Sequence, residues 1–186
     1  MSAKQNYLAF DLGAESGRAV LGRLDGERLE IEELHRFANR PVFVGGTLYW
    51  NTLELFRDMK DGLAAYGAKG HGALSGLGVD TWGVDFGLFG SDGAPMGMPT
   101  HYRDSRNDGI LEKAFALVPQ REIFDQTGIQ FMQFNTIFQL LAMRLAGSPL
   151  LDSSARMLNM SDLFNYFFCG EMATEFSIAT TTQAYN

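Results

Sequence analysis

The chain has 186 residues, of which 46% are hydrophobic, so it can bury roughly two-thirds of its unfolded surface in one core. Its formal net charge of -7 disfavours nucleic-acid binding, which needs an excess of Lys and Arg to neutralise phosphates. No segment approaches the roughly eighteen apolar residues that span a bilayer, and residues 1–6 do not resemble a secretion signal. We therefore expect one compact cytoplasmic domain with no nucleic-acid and no membrane partner.

Cysteine and histidine give no sign of a metal site. Cys169 is the only cysteine, which excludes an internal disulfide, and its place in an apolar run indicates a packing role. His35, His71 and His101 lie far apart and lack metal-ligand spacing. We assign these histidines to surface or loop positions.

The first part of the chain predicts three antiparallel strands. Short apolar runs cover residues 7–11, 19–24 and 29–37, and glycines separate the first two. Asp25 and Gly26 form a typical hairpin turn before the third run. A three-stranded meander follows from this pattern.

A helix is predicted from Asn51 onwards. Asn51 and Glu54 have the spacing of a capping box, in which each residue satisfies a free backbone or side-chain group of the other. Apolar side chains then recur every three or four residues. The face that we expect to be buried consists of Leu53, Phe56, Met59, Lys60 and Leu63.

The second half of the chain alternates predicted strands and helices. Strands are expected at residues 77–80, 84–89 and 156–160, and helices at 108–117, 120–127 and 135–146. A last helix, capped by Ser161 or Asp162, should end at Gly170, before a polar tail at 174–186. This order predicts an α/β layer structure.

A turn of small residues follows the first strand and carries groups suited to phosphate. Gly13 and Gly17 let the backbone approach a ligand, Ser16 offers a donor, Arg18 can pair with phosphate oxygens, and Asp11 can hold Mg²⁺ through water. The spacing matches neither a P-loop nor a dinucleotide fingerprint. An ordinary hairpin turn with a solvated arginine explains the same residues equally well.

Five segments of the chain, in their order and spacing, resemble the FGGY family of carbohydrate kinases, and within it the rhamnulokinases. They are residues 11–18, 80–86, 102–106, 128–136 and 179–183. The resemblance covers nearly the whole chain. It implies an α/β fold of the ribonuclease-H-like (actin-like ATPase) type, with a mixed five-stranded sheet flanked by helices.

The resemblance also implies site residues for ATP and for a sugar. The ATP phosphates would contact Ala14, Glu15, Ser16, Gly17 and Arg18, with Asp11 on the Mg²⁺ side. The sugar would lie at Gly83, with Thr81, Trp82, Arg103 and Asp104 nearby. A glycine at position 83 would leave room for a six-carbon deoxyketose, where glycerol-type members carry a large side chain.

Structural explanations compete with several of these roles. Trp82 can be an ordinary core residue, and Gly83 can mark a bulge between two strands. Arg103, Asp104 and Arg106 can form a surface ion-pair group. Both sets of explanations stay open at the level of the sequence.

The chain departs from the wider family at a few positions. Members of the family usually carry Lys and Trp where this chain has Gln139 and Ala142, a divergence that rhamnulokinases share. Glu15 places a carboxylate beside the expected phosphates, which is unfavourable unless the side chain points away or faces Mg²⁺.

Members of this family are more than twice as long as this chain and keep the catalytic aspartate in a second domain. We therefore expect residues 1–186 to be the N-terminal domain alone, with the general base beyond Asn186 and no catalytic residue within it. The implied reaction of the whole protein is the ATP-dependent phosphorylation of L-rhamnulose to L-rhamnulose 1-phosphate, a step of rhamnose breakdown. The isolated chain is expected to be inactive.

Two other functions fit the same residues. The chain can belong to another sugar kinase of the family, of the xylulose, fuculose or glycerol type, or it can be a non-catalytic module that binds a sugar or a nucleotide. An exposed apolar face would favour part of a larger enzyme, and a fully polar surface would favour an independent module.

Overall fold

The computed structural model describes residues 4–185, and within them the chain forms eight strands and seven α-helices. The strands are β1 (Gln5–Leu12), β2 (Ser16–Asp25), β3 (Arg28–Ala38), β4 (Val42–Val44), β5 (Thr47–Tyr49), β6 (Gly76–Thr81), β7 (Phe86–Phe89) and β8 (Arg156–Asn159). The helices are α1 (Thr52–Ala68), α2 (Ile110–Leu117), α3 (Gln120–Thr127), α4 (Thr136–Leu145), α5 (Pro149–Ser153), α6 (Met160–Cys169) and α7 (Phe176–Thr180). A short 3₁₀ helix covers Ser105–Asn107.

The main sheet has four strands in the order β3-β2-β1-β6. The first three strands form the predicted antiparallel meander, and β6 returns parallel to β1 after α1. In β1, Leu8, Phe10 and Leu12 are buried while the alternate side chains face outwards, as the two-residue period of a strand requires. The predicted mixed sheet flanked by helices is confirmed, with four hydrogen-bonded strands in place of the five expected.

The missing fifth strand is explained by the chain's path after β6. Val84 has a φ of 71°, in the left-handed region that a β-branched residue rarely adopts. This turn takes the chain out of the sheet, so β7 begins at Phe86 and pairs with β8 in a separate two-stranded sheet. The predicted strand at 84–89 is therefore shorter than expected and joins a different partner.

Helix α1 begins as predicted, and its buried side matches the predicted face in part. The Asn51 side chain accepts a hydrogen bond from the Glu54 backbone N–H at 3.4 Å and donates to the Glu54 carboxylate at 2.7 Å. Met59 is buried, and Phe56 and Leu63 pack against the core as expected, but Leu53 is 73% exposed and Lys60 is exposed. The buried side is formed by Thr52, Leu55, Met59, Gly62 and Tyr66. Gly62 decides this orientation, because it lets the helix approach the sheet closely.

The close approach at Gly62 gives a test of the packing. A Cβ atom there would lie 2.7 Å from the Cβ of Ala19 and 3.1 Å from the Phe10 ring, so Gly62→Ala should cost about 1 kcal/mol of unfolding free energy. Gly67 lies in the same helix with nothing within 4 Å of such a Cβ. Gly67→Ala should stabilise by about 0.5 kcal/mol, because alanine favours helix. Urea denaturation of both variants checks the contrast, and equal effects would contradict it.

The core lies between one face of the sheet and the helices α1 and α6. The Phe10 ring from β1 stacks on Phe168 from α6 at 5.5 Å, and Phe56 from α1 meets the same Phe168 edge-on at 5.0 Å. A second cluster holds α2 against α4 through Ile110 and Phe138. These contacts fix the edge of the sheet at which β1 and β6 end.

The C-terminal region differs in detail from the prediction. Helix α6 starts at Met160 with Asn159 as its N-cap, not at Ser161 or Asp162. Cys169 is exposed, so the packing role expected for it is wrong. The tail contains the short helix α7, which Glu175 caps by accepting from two backbone N–H groups.

Candidate active site

The turn between β1 and β2 leaves backbone donors available for an anion. Asn39, at the end of β3, holds the turn by donating through its side chain to the Gly13 carbonyl and through its backbone to the Glu15 carbonyl, both at 2.9 Å. The backbone N–H groups of Ala14 and Glu15 have no hydrogen-bond partner among residues 4–185. Two adjacent free N–H groups in a tight turn form a concave site suited to phosphate oxygens.

The side chains around this turn divide into exposed and packed groups. Glu15 and Gly13 are exposed, and Ser16 is half-buried. Gly17 is buried against the Phe37 ring, so its role is to allow packing rather than to bend the chain. Arg18 forms an ion pair with Asp11, its partner across the hairpin, and both side chains are about two-fifths exposed. Arg18 therefore neutralises Asp11 in this arrangement, whereas the sequence left open a phosphate contact or a solvated arginine.

Asp11 has a second carboxylate beside it. Asp80 is its register neighbour on the parallel strand β6, and Asp80 is exposed. Among the described residues, no group of three or more His, Cys, Asp or Glu side chains could hold a metal ion. Carboxylates that bind through water, with phosphate oxygens completing the coordination, are a donor set that suits Mg²⁺. The residues present therefore fit a hydrated magnesium ion better than a metal held by protein ligands alone.

The expected sugar segment lies directly beside the phosphate turn. The Trp82 backbone N–H donates to the Leu12 carbonyl at 3.1 Å, which continues the pairing of β1 with β6 by one residue. A Cβ atom on Gly83 would meet only the Thr181 hydroxyl, at 3.8 Å. Gly83 lies outside β6 and β7 and its φ is not positive, so the strand-bulge explanation is wrong. The hydroxyl of Thr81 donates to the Trp82 carbonyl.

A strained turn follows Gly83. The Asp85 backbone N–H donates to the Gly83 carbonyl at 3.0 Å around Val84, whose positive φ is that of a classic γ-turn. Helix α4 secures this turn, because Thr136 and Gln139 donate to the Val84 carbonyl at 2.8 and 3.1 Å. Strained backbone persists only where the surroundings determine it, and such positions concentrate at functional sites.

Asp85 is a buried carboxylate at the centre of a hydrogen-bond network. It is 1% exposed and accepts from four donors. They are Trp50 Nε1 at 2.6 Å, Gln139 Nε2 at 2.7 Å, Trp82 Nε1 at 3.0 Å and the Tyr102 backbone N–H at 3.2 Å. Burial raises the pKa of Asp85 to about 6, although the hydrogen bonds favour its charged form.

Four aromatic side chains stack in a continuous cluster that we call the aromatic wall: Trp50 and His101, which are buried, and Trp82 and Tyr102, which are half-buried. The Trp50 ring lies 4.0 Å from both Trp82 and His101. Burial, together with nearby Arg103, lowers the pKa of His101 to about 4, so the ring is neutral at pH 7. The loop assignment of His101 missed this burial.

Arg103 and Asp104 occupy different environments. Arg103 is exposed and lies over the Tyr102 ring at 5.4 Å. Asp104 is 5% exposed, and its two oxygens accept from the backbone N–H groups of Leu48 and Arg106 at 2.8 and 3.0 Å. Asp104 thus stabilises the loop, while Arg103 is exposed against the half-buried Tyr102 ring.

The surface ion-pair explanation for this segment is also wrong. Arg106 is half-buried and donates to Thr100 and Gln139 at 2.9 and 2.7 Å. No ion pair within 4 Å involves Arg103, Asp104 or Arg106 in the part of the chain that the structure describes. Arg106 therefore connects the loop to α4.

The sequence matches a known family over almost its whole length. Residues 6–186 match the N-terminal domain of the FGGY family of carbohydrate kinases. The chain belongs to the FGGY family. This confirms the resemblance drawn from the five sequence segments.

Similar FGGY proteins are longer than this chain. A rhamnulokinase of Bacteroides thetaiotaomicron is 41% identical over 98% of the chain, and one of Pectobacterium carotovorum is 39% identical over 97%. The chain spans only 38% and 37% of these two relatives.

Solved structures confirm the fold of this FGGY chain. Xylulose kinase from Lactobacillus acidophilus superposes with a TM-score of 0.83 at 14% identity, covering 98% of this chain and 37% of that one. Glycerol kinase from Plasmodium falciparum gives a TM-score of 0.75, also at 14% identity, covering 97% and 37%. At such identity the likeness establishes the fold alone. Among residues 4–185, no helix has the length and apolar character to cross a bilayer.

Four residues of the candidate site were not singled out as site residues from the sequence: Asn39, Trp50, Asp85 and Tyr102. Gln139 was noted only as a departure from the wider family, without a structural role. A carboxylate inside the apolar run 84–89 was a usable signal, because a buried charge needs partners. Trp50 lies 35 positions from Asp85, and no local pattern shows that pairing.

Proposed function

We propose that the protein to which this domain belongs is an ATP-dependent rhamnulokinase, which phosphorylates L-rhamnulose to L-rhamnulose 1-phosphate. The identity of 41% to a rhamnulokinase, over 98% of the chain, is the observation that carries this proposal. The four rhamnulokinase relatives each match 97–99% of the chain, at 34–41% identity. We propose that residues 1–186 are the N-terminal domain of this enzyme.

The turn after β1 is our proposed site for the ATP phosphates. The backbone N–H groups of Ala14 and Glu15, which are unpaired within residues 4–185, can donate to phosphate oxygens. The hydroxyl of Ser16 and the guanidinium of Arg18 lie next to them in the chain and can add further hydrogen bonds. Gly17 packs against the Phe37 ring and so holds the β2 side of the turn in place. Magnesium supplies positive charge that offsets the charge of the transferring phosphoryl group when it is bound.

Asp11 is the residue that would hold that magnesium, through water. The ion pair with Arg18 offsets the negative charge of Asp11. The site is therefore not strongly acidic, and it can accept both Mg²⁺ and the phosphate oxygens. Glu15 is exposed, which lets its carboxylate turn away from the phosphates.

The space in front of Gly83 and the aromatic wall is our proposed sugar site. Gly83 leaves its neighbourhood open, Trp82 and Tyr102 offer apolar faces, and Arg103 offers donors to hydroxyl groups. Thr81 and Asp104 hold the backbone of the β6 end and of the loop in place. They would therefore affect the sugar by positioning other residues rather than by touching it. Because Trp82 pairs with Leu12 beside the phosphate turn, a sugar here would lie within reach of the ATP phosphates.

We propose no general base within these residues. Asp85 has a suitable pKa but is enclosed by its four donors, so it cannot reach a substrate hydroxyl. The isolated chain should therefore transfer no phosphate, and its nucleotide binding should be weak and dependent on Mg²⁺.

A coupled assay of the full-length protein with ATP and Mg²⁺ tests the function. L-rhamnulose should give a higher kcat/KM than D-xylulose, L-fuculose or glycerol, and the product should be the 1-phosphate. A higher kcat/KM for another of these acceptors would change the proposed substrate but leave the proposed sugar-kinase activity in place. Absence of phosphorylation with all four would contradict the proposal, and turnover by residues 1–186 alone would contradict the assignment of the base elsewhere.

A further inference from the structure

We propose that Asp85 is a positioning residue for the sugar site: its buried carboxylate fixes Trp82 and Tyr102, and with them the aromatic wall. The inference rests on the proposed sugar-kinase function. Three of its four hydrogen bonds go to the wall itself, namely to both indole N–H groups and to the Tyr102 backbone. An indole can only donate, so each ring needs an acceptor placed in its plane when it is buried.

The two tryptophans constrain each other through this shared acceptor. Both indoles donate to the same oxygen of Asp85, Oδ2, while their rings lie 4.0 Å apart with an angle of 32° between the planes. One carboxylate oxygen thus sets the distance and the tilt of the pair. Rotation of either ring would break its bond to Asp85 and open the contact with the other ring.

The other oxygen connects the wall to helix α4. Gln139 donates to Asp85 Oδ1 at 2.7 Å, to the Val84 carbonyl at 3.1 Å and to the Phe134 carbonyl at 2.9 Å, and its own oxygen accepts from Arg106. Gln139 therefore fixes both the strained turn and the carboxylate. An amide at position 139 matches this role, because it donates to one side and accepts from the other.

The position of Asp85 in the chain connects the hydrogen-bond network to the proposed sugar site. Asp85 closes the turn that begins at Gly83, and its side chain returns to the ring of Trp82. The backbone that leaves room for the sugar and the ring that would cover it are therefore held by one residue. Asp85 itself is too buried to touch the sugar.

Asp85→Asn in the full-length enzyme is the primary test. Asparagine has nearly the same shape, but the amide nitrogen that replaces one carboxylate oxygen can only donate, so at least one donor to residue 85 loses its acceptor. We expect the KM for L-rhamnulose to rise about tenfold, the KM for ATP to stay within about twofold, and the near-UV circular dichroism bands of tryptophan to change. Asp152→Asn, at an exposed carboxylate, is the matched control and should change none of these.

A second variant covers the case in which Asp85→Asn does not fold. Trp50→Phe removes the shortest hydrogen bond to Asp85 but keeps an aromatic ring against Trp82. It should raise the sugar KM by a smaller factor than the asparagine variant, again without changing the KM for ATP.

An unchanged sugar KM in a folded variant would overturn the inference. So would an equal rise of both KM values with a lowered Tm, because that pattern describes a general structural role. If the wild-type enzyme phosphorylates none of the four acceptors, the proposed function fails. The circular dichroism comparison then decides this inference separately, and unchanged tryptophan bands in Asp85→Asn would reject it.

Discussion

Gly83→Val in the full-length enzyme is expected to raise the KM for L-rhamnulose at least about tenfold while the KM for ATP stays unchanged. A tenfold change corresponds to about 1.4 kcal/mol of binding free energy, which a steric collision with the sugar readily supplies. The added branches would enter space that is open in the protein, where the nearest atom to a Cβ is the Thr181 hydroxyl at 3.8 Å. Steady-state kinetics with each substrate varied in turn gives the two constants.

Stability separates this steric effect from a backbone effect. Gly83 has no positive φ, so valine is compatible with its conformation and the Tm should stay within about 2 °C of the wild type. Gly83→Ala is the matched control and should raise the sugar KM by a smaller factor. A folded valine variant with normal kinetics would remove Gly83 from the sugar site, and a lowered Tm with both substrates weakened would assign it a backbone role.

Gly17→Ala is expected to destabilise the domain by about 2–3 kcal/mol, the largest stability change in this set. A Cβ atom there would lie 2.3 Å from the Phe37 ring and 2.7 Å from Leu12, and both neighbours are buried. The ring cannot move without opening the contact between β2 and β3. Urea denaturation measures the loss.

Gly13→Ala, four residues earlier, provides the contrast. The nearest atom to its added Cβ would be the Ser16 carbonyl oxygen at 3.4 Å, so the stability should change by less than about 0.5 kcal/mol. Gly13 is exposed in the phosphate turn, and the methyl group should raise the KM for ATP in the full-length enzyme. Equal loss of stability in the two variants would show that both glycines serve folding alone.

Local patterns predicted the elements whose signals lie close together in the sequence. The capping pair Asn51 and Glu54 located the start of α1, and the turn at Asp25 and Gly26 located the β2–β3 hairpin. The Gly-Gly pair before β5 was also a usable hairpin signal that the prediction missed. Such features depend on neighbours within a few residues, so they can be predicted from a single sequence.

Features that depend on distant contacts could not be derived in this way. Helical periodicity allowed two faces for α1, and only the approach of Gly62 to Ala19 on the sheet selects the one that leaves Leu53 exposed. The positive φ of Val84 contradicts the preference of valine for strands, because α4 imposes it from more than fifty residues away.

The candidate site shows the same division. The Asp11–Arg18 ion pair was not predicted, because the second strand was expected to begin at residue 19, whereas β2 begins at Ser16 and places Arg18 opposite Asp11. The sequence motifs selected the segments that we propose for the phosphates and the sugar. Asn39 and Asp85, which we infer to position these segments, act through contacts 26 and 35 positions away, which no local pattern shows.

The hydrogen bond from Trp82 to the Leu12 carbonyl joins the proposed phosphate turn and the proposed sugar segment across the adjacent strands β1 and β6. We expect a nucleotide bound at the proposed phosphate turn to restrict Trp82, and a sugar bound against Trp82 to order that turn. The two substrates are therefore expected to bind with positive cooperativity. Reciprocity requires that ATP tighten sugar binding by the same factor by which the sugar tightens ATP binding, whichever arrives first.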